Sequence, residues 1–457
     1  MVCTYTNSTP RGSLFVDRKS SSRLRNKFYF NILNMRIDTP FVLRMEIFLL
    51  IIIQFGTNAG YVPTAVTYLF DVLNICVLVL GAKVVAKGMA DHKAYLLLIT
   101  GYIVLALFSG LSSGVSVPCI VWELVQQLRI PLFLILAVSY WKADDVSKAF
   151  SFLYKLQPVN FAFAVVEYFG FGLTGDQCGG LFGIAAGSNM MLNIYLVIVC
   201  SYSCSRYLVT LKERRSLAVF LLTLVCSFLI ATLAEIKFFY FEAFVIVLLS
   251  LSMGKKIIRS VAVIGSFVAA FAVGMFALSV YFPNSYEMLF SIDEMKSYDD
   301  GSNVVESGYG ISRVGAIGQV DNLFFWNSDI DKLVGFGFGS ATMSSINVFC
   351  SPFYLKYGWL RYYYSPVAMV YLQSGYLGLV YYAVLMLYPV FSVFKSRHLL
   401  NPRSGMLVFE VCVTAMFFAN CFYNASARSY AGILWALAFA APLVAIYEID
   451  YGQEVDR

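Results

Sequence analysis

Long apolar runs alternate with short polar connections through most of this chain, and one polar segment is much longer than the others. Twelve runs approach the roughly 20 residues that a helix needs to cross a bilayer. The long polar segment, residues 282–365, follows the ninth run. The pattern predicts about twelve transmembrane helices, at residues 42–60, 64–82, 95–113, 118–140, 149–171, 188–207, 217–235, 238–254, 260–281, 366–393, 405–422 and 428–447.

The basic residues predict how these helices are oriented. With the N-terminus inside, the inward connections and the tails hold all but eight of the 33 Lys and Arg residues, as the positive-inside rule expects. Both termini are then cytoplasmic, in tails at residues 1–40 and 448–457, and the 282–365 loop is periplasmic. The eight other basic residues are Arg129, Lys237, Lys296, Arg313, Lys332, Lys356, Arg361 and Arg428.

The composition agrees with a membrane location. The 457 residues are 59% hydrophobic and have a mean hydropathy of +0.72, which a water-soluble domain of this size does not carry. The net charge of +6 comes from small basic clusters between apolar runs, so no nucleic-acid partner is expected. We expect an all-α polytopic integral membrane protein, GT-C-like, with helices 1–9 in residues 41–281 and helices 10–12 in residues 366–447.

Repeats and cysteines add two smaller expectations. The large loop occurs once and the first half holds nothing comparable, which disfavours a carrier built from repeated halves. Among the ten cysteines, Cys178 and Cys350 fall in predicted outward segments and are the candidates for a disulfide.

Basic residues outside the inward connections are the first candidates for chemistry. Lys237, Arg313, Arg361 and Arg428 lie at outward helix ends or in the long loop, where a cation either reaches lipid phosphates or binds a substrate. Guanidinium groups bind pyrophosphate in a bidentate manner and stabilise the charge that builds on a departing phosphate. A sugar transferase that uses a lipid-pyrophosphate donor needs this function.

Arg129 is unusual because it lies near the middle of the fourth run. An ionisable group at that depth costs about 2.5 to 3.5 kcal/mol and usually faces a partner or a wet cavity. Glu123 is six positions earlier and therefore on another face of the helix. We expect the partner of Arg129 on a different helix.

Carboxylates are the candidates for a general base, which a glycosyl acceptor hydroxyl requires. Those predicted to face outward are Glu235, Glu306, Asp321, Asp329 and Asp331. Asp329 and Asp331 have the spacing of a divalent-metal pair, but such spacing is common in polar loops. We expect no metal and no cofactor.

Four motifs in and after the long loop have an order found in a known family. They are Ser312-Arg313-Val314, Leu333-Val334-Gly335-Phe336-Gly337-Phe338-Gly339-Ser340, Tyr364-Ser365-Pro366 and Tyr371-Leu372-Gln373-Ser374-Gly375-Tyr376-Leu377-Gly378-Leu379. With Lys237 at the start of the eighth run, this order resembles the O-antigen polymerase and ligase superfamily. In that family an outward loop carries an Arg, a Gly-x-Gly turn and a polar patch that leads into a helix.

The resemblance implies a glycosyltransferase of the bacterial inner membrane. Such an enzyme joins undecaprenyl-pyrophosphate-linked oligosaccharide repeats into O-antigen or a related surface polysaccharide on the periplasmic face. A chain-length regulator and a flippase are its implied partners, beside the lipid bilayer. Arg313 and Lys237 would hold the pyrophosphate, and the full expected substrate-binding set is Lys237, Arg313, Arg361, Arg129, Arg428, Gly335 and Gly337.

This chain lacks a histidine that the ligases of the family carry, and this difference bears on the choice between polymerase and ligase activity. The ligases carry a His where this chain has Tyr364 or Ser365, and the histidines here, His92 and His398, lie in predicted cytoplasmic connections. The polymerase activity is therefore favoured over the ligase activity. The catalytic base remains open, with Glu235, Glu306 and Tyr364 as the expected catalytic residues.

A flippase for lipid-linked oligosaccharides is the main alternative, and a non-catalytic scaffold is another. A flippase needs charges in both halves of a central cavity, whereas the spans other than the fourth are expected to be poor in internal charge. It also has no need of a large one-sided loop. Loss of a flippase would trap repeats on the inner leaflet, and loss of a polymerase would deliver single repeats to the outer leaflet.

Overall fold

Helices make up almost all of the described chain, and each predicted apolar run contains one. The computed structural model describes residues 29–32, 35–209, 214–253, 257–290, 310–313, 315–326, 328–400 and 405–455. The antiparallel strands β1 (Tyr29–Ile32) and β2 (Met35–Asp38) come first. Ten helices follow before the long loop: α1 (Thr39–Asn58), α2 (Tyr68–Leu80), α3 (Ala82–Gly88), α4 (Lys93–Ser112), α5 (Val117–Tyr140), α6 (Ala143–Val165), α7 (Ser188–Val209), α8 (Arg214–Leu233), α9 (Lys237–Ser252) and α10 (Ile257–Tyr281).

The long loop and the last spans contain the remaining helices. They are α11 (Pro283–Met288), α12 (Ala316–Val320), α13 (Asp329–Val334), α14 (Pro352–Tyr357), α15 (Pro366–Lys395), α16 (Met406–Tyr423) and α17 (Gly432–Val455). The ends of the spans follow ordinary capping chemistry. Asp38 accepts a hydrogen bond from the Phe41 amide at 3.1 Å to begin α1, and Ser365 accepts one from the Ala368 amide at 3.3 Å to begin α15.

Seven helices in the described residues are long and apolar enough to cross a membrane. They are α1, α5, α10, α15 and α16, with Ala90–Ser112 and Ala143–Gly170. The pair Thr64–Leu80 and Ala82–Gly88, bent by 81°, makes an eighth if it is one broken span, and Leu217–Leu233 and Gly432–Tyr447 are shorter apolar helices. The protein is thus a polytopic membrane protein, and the number of twelve spans stays a prediction.

The outer helices expose apolar side chains and the inner helices do not. Leu97 and Phe108 on α4 and Phe276 on α10 are exposed, as expected for residues in contact with lipid. Tyr195 on α7 and Trp435 on α17 are fully buried. Helix α17 packs along α5, and α7 packs against α9 and α16. The bundle therefore has a true interior, and polar groups in it must find partners there.

The described part of the long loop folds as short helical turns around a small core of its own. Phe325, Leu360 and Tyr362 are buried in it together with Met369 and Tyr371 of α15. Apolar residues at roughly helical spacing over residues 311–326 predict a helix there, but the described residues form only α12 and a π-helical turn at Asp321–Phe325. This core attaches the loop to the outward end of α15.

The two cysteines considered as candidates for a disulfide do not form one. Cys178 and Cys350 are both free thiols. Cys178 is buried and donates to Glu167 Oε2 at 3.4 Å, while Cys350 donates to the carbonyl of Ser344 at 3.0 Å. Each thiol is satisfied locally, in a different part of the fold.

Candidate functional site

An aromatic stack connects the long loop to the start of α9. The Arg313 guanidinium carbon lies 4.5 Å from the centroid of the Tyr423 ring. The Phe238 ring also stacks on Tyr423, with centroids 4.2 Å apart and planes inclined by 16°. Both groups therefore pack directly on the Tyr423 ring. Since Phe238 follows Lys237, the stack brings Arg313 and Lys237 to the same region of the protein.

Lys237 pairs with the neighbouring candidate base. Its Nζ lies 3.4 Å from Glu235 Oε1 and 3.4 Å from Met288 Sδ. Glu235 makes the corner between α8 and α9 with a φ of 53°, which is uncommon for a residue with a side chain. Its Oε1 also accepts a hydrogen bond from the Ser285 hydroxyl of α11. The carboxylate is therefore held in one place, half-exposed, beside a cation.

A buried ion pair fixes Arg129. Its Nε and Nη2 each donate to the Asp71 carboxylate of α2 at 2.8 Å, and its guanidinium lies 4.0 Å from the Tyr430 ring centroid. Nη1 donates to the carbonyl of Arg428 at 2.5 Å. The expected partner on another helix is thus Asp71. Bidentate pairing of this kind fully engages the guanidinium within the protein.

A second buried pair links α5 to the start of α17. Arg428 Nη2 lies 2.6 and 2.7 Å from the two carboxylate oxygens of Glu123. The hydroxyl of Thr342, in the long loop, donates to Glu123 Oε2 at 3.0 Å, and Gln127 Nε2 donates to Oε1 at 2.6 Å. Arg129 and Arg428 therefore lie in one network that holds the loop on the bundle.

One helical turn below the stack lies a polar cluster that sequence analysis did not find. Glu242 of α9 is fully buried, and its Oε1 accepts a hydrogen bond from Asn420 Nδ2 at 2.5 Å. Asn193 of α7 donates to Asn420 Oδ1 at 3.2 Å, and Asn424 donates to the same oxygen at 3.0 Å. The signal available in the sequence was the Asn420 and Asn424 pair, one turn apart in an apolar run.

The glycines of the loop turn serve close packing. Gly335 and Gly337 have φ values of 71° and 97°. A Cβ on Gly335 would lie 2.4 Å from the backbone of Gln373, and one on Gly337 would lie 2.4 Å from the Ser113 side chain. The close-approach turn expected here is therefore present, and it joins the loop to α15 and to the end of α4.

The remaining expected site residues lie on the loop surface or outside the described residues. Arg361 is exposed with a φ of 55°. Tyr364 is about half-exposed, and its ring lies 4.7 Å from that of Tyr363. Burial, and then neighbouring Tyr364, raises the pKa of Tyr363 to about 12, so this phenol keeps its proton. Glu306 falls outside the described residues.

The acidic pair of the loop has no carboxylate, thiol or imidazole cluster around it. The Asp329 side chain is 97% exposed, with an oxygen 4.0 Å from Lys332 Nζ. Across the described residues no group of three or more His, Cys, Asp or Glu could hold a metal ion.

Three features therefore define the candidate site. They are the Arg313 stack, the Lys237–Glu235 pair and the buried carboxylates Glu123 and Glu242 with their hydrogen-bond partners. Their long-range contacts join residues more than a hundred positions apart, such as Arg313 with Tyr423 and Glu123 with Arg428.

Comparison of the chain with protein-family models and with curated proteins gives no match.

Proposed function

We propose that this protein is a membrane glycosyltransferase that polymerises undecaprenyl-pyrophosphate-linked oligosaccharide repeats into O-antigen or a related surface polysaccharide. The observation that supports this best is the stack of Arg313, Tyr423 and Phe238, which connects Arg313 of the loop to the residue that follows Lys237. The Arg313 guanidinium lies over the face of the Tyr423 ring, so its N–H edges remain available for a phosphate. In the described residues no carboxylate pairs with Arg313.

The proposed reaction transfers a sugar chain from one lipid to another. A hydroxyl oxygen of the incoming repeat bonds to the anomeric carbon of the growing chain, and the bond from that carbon to the lipid pyrophosphate breaks. The departing pyrophosphate carries the electron pair, and Arg313 and Lys237 stabilise its charge. The hydroxyl proton passes to a general base, for which the carboxylate of Glu235 is the best-placed described candidate, with Glu306 and Tyr364 as the alternatives.

Glu235 suits this step because its position is fixed. Ser285 and Lys237 hold the same oxygen, Oε1. The second oxygen, Oε2, faces Gly175, where a Cβ would come within 3.0 Å of it. A glycine there leaves space at Oε2 for an acceptor hydroxyl.

The test is surface polysaccharide from cells that lack this protein and carry either the wild type or Arg313→Ala. We expect long-chain product with the wild type and single repeats with the variant, because the departing charge loses its main cation. Tyr423→Ala should reduce chain length as well, whereas Tyr423→Phe should keep it because the stacking ring remains.

Lys356→Ala is the matched control. Lys356 is also a cation of the long loop and also lies on an aromatic ring, 4.9 Å from the centroid of Tyr357, but outside the stack. This variant should make product of normal length. Normal chains with Arg313→Ala, in protein present at wild-type amount, would contradict the proposed role of the arginine and the polymerase function with it.

A flippase remains the second candidate, because buried carboxylates occur in more spans than expected. Glu46 in α1, Asp71 in α2, Glu242 in α9 and Glu410 in α16 are all buried, in addition to Glu123 of α5. The expectation that spans other than the fourth are poor in internal charge is thus wrong. Lipid-linked repeats trapped on the inner leaflet of cells without this protein would favour the flippase.

A further inference from the structure

Helix α15 is interrupted at a depth that corresponds to a membrane boundary. Gly375 has a φ of 57° and a ψ of −159°, which divides the helix into an upper part and the stretch 376–395. At about 1.5 Å per residue this stretch spans about 30 Å, the thickness of a hydrocarbon core. Lys395 marks its other end. Gly375 therefore lies where α15 leaves the bilayer on the side of the long loop.

Loop helix α13 is fixed at this depth by backbone contacts. A Cβ on Gly375 would lie 2.4 Å from the carbonyl carbon and oxygen of Leu333. Just after α13, the Phe336 amide donates to the carbonyl of Leu372 at 2.9 Å. These contacts pack α13 and the turn after it closely against the interruption of α15.

Helix α13 and Trp326, three residues before it, present apolar side chains that are exposed in the described part of the chain. Trp326 and Ile330 are each 74% exposed, and Leu333 and Val334 are exposed too. Ile330, Leu333 and Val334 have the i, i+3, i+4 spacing of one helix face. We call these four side chains the apolar ridge. Directly below Gly375, α15 continues with exposed Tyr376, Leu377 and Val380.

The backbone around Trp326 holds the indole outward. Trp326 has a φ of 49° and a ψ of −119°, a conformation that bulky residues rarely adopt. It ends the π-helical turn Asp321–Phe325, and its indole N–H donates to the carbonyl of Leu323 at 3.2 Å. The Tyr371 hydroxyl of α15 donates to Asp321 at 2.6 Å and secures the turn. Strained backbone of this kind persists where the surrounding contacts require it.

We propose that the apolar ridge is a membrane-surface anchor that inserts into the loop-side leaflet of the phospholipid bilayer. Its depth matches the boundary at Gly375, and its surface is continuous with the lipid-facing side of α15. Tryptophan is enriched at this level of membrane proteins. The Asp329 side chain, 97% exposed, lies at the edge of this face, one turn before Leu333. The anchor holds the long loop close to the membrane plane, whatever reaction the loop supports.

Tryptophan fluorescence of the full chain in phosphatidylcholine vesicles tests this proposal. Of the five tryptophans, Trp141 and Trp435 are fully buried, Trp122 is partly buried, and Trp326 and Trp359 are exposed. Vesicles with brominated acyl chains should quench part of the wild-type emission. We expect Trp326→Phe to lose most of this quenched part, and Trp359→Phe, the control on the same loop, to keep it.

A rescue variant separates loss of the anchor from loss of the fold. Adding Ile330→Trp to Trp326→Phe should restore quenching by brominated lipid, because the new indole lies on the same ridge. Equal quenching in the wild type and Trp326→Phe, with Trp326 emission quenched by aqueous iodide instead, would overturn the proposal. Protection of Trp326 from iodide by added polysaccharide, without quenching by brominated lipid, would also overturn it and assign the ridge to carbohydrate.

Discussion

Arginines in this protein have different roles because their neighbours differ. The guanidinium groups of Arg129 and Arg428 are buried and bonded to carboxylates. Arg313 instead lies on an aromatic face and is half-buried. Removing a buried charge from water is costly, so the first two are stable only with their partners. A stacked guanidinium keeps its donors for a ligand, which makes Arg313 the better candidate for substrate binding.

The Glu123–Arg428 pair permits a stability prediction at this scale. Glu123→Ala leaves the buried Arg428 without its carboxylate and removes the partner of Thr342 in the loop. Breaking a buried pair in this way costs about 3 to 5 kcal/mol. We expect a clearly lower unfolding temperature in detergent, and faster proteolysis of the long loop before the bundle unfolds.

Asp144→Ala is the control for this prediction. Asp144 also pairs with a basic residue, Lys148, at 2.5 Å, but both side chains are largely exposed. An exposed pair contributes less than about 1 kcal/mol. Equal losses of stability in Glu123→Ala and Asp144→Ala would mean that the buried network does not stabilise the fold.

At the scale of elements, the sequence predicts the helices well because membrane spans follow a local rule. Without water, a chain in hydrocarbon must satisfy its own backbone, so an apolar run of span length is a helix. The predicted run 260–281 and the helix Ile257–Tyr281 end at the same residue. The run 188–207 and Ser188–Val209 begin at the same residue.

The loop and the polar contacts were less predictable, because they depend on tertiary packing. The spacing of apolar residues suggested a helix over 311–326, yet the chain makes one short helix and a π-helical turn there. Nothing local to Glu242 indicates that Asn420 will donate to it. Similarly, an arginine inside an apolar run predicts that Arg129 has a partner, but only the packing of α2 on α5 identifies that partner as Asp71.

The interruption of α15 gives a prediction for an element. Gly375→Ala places a Cβ 2.4 Å from the Leu333 backbone at a φ of 57°. Strain and overpacking together cost roughly 2 to 5 kcal/mol. We expect a lower unfolding temperature in detergent, with the loss concentrated where α13 meets α15. Hydrogen exchange should then be faster in α13.

Gly265→Ala is the comparison for this variant. Gly265 lies inside α10, and a Cβ there would meet no atom within 4 Å. Alanine is favoured over glycine in a helix by up to about 1 kcal/mol, so this variant should be neutral or slightly stabilised. A Gly375→Ala protein as stable as Gly265→Ala would show that α13 can leave the interruption freely.

At the scale of the whole molecule, burial and charge divide the protein in different ways. Burial separates the inner helices α7 and α17 from the outer helices α4 and α10. Charge separates the two ends of the bundle, since the basic connections are expected on one side and the long loop on the other. The candidate site, the aromatic stack and the proposed anchor all belong to the loop side. The proposed function in surface polysaccharide assembly therefore requires that this side face outward.

Labelling of single cysteines with a membrane-impermeant maleimide tests this orientation. Leu355 in α14 and His398 after α15 are both exposed, at opposite ends of the bundle. In a parent chain with Cys3, Cys76 and Cys350 replaced by Ser, Leu355→Cys should react in intact spheroplasts. His398→Cys should react only after the membrane is permeabilised, because the basic residues beside it favour the cytoplasmic side. Labelling of His398→Cys alone in intact spheroplasts would reverse the topology and place the Arg313 stack on the wrong face for a periplasmic reaction.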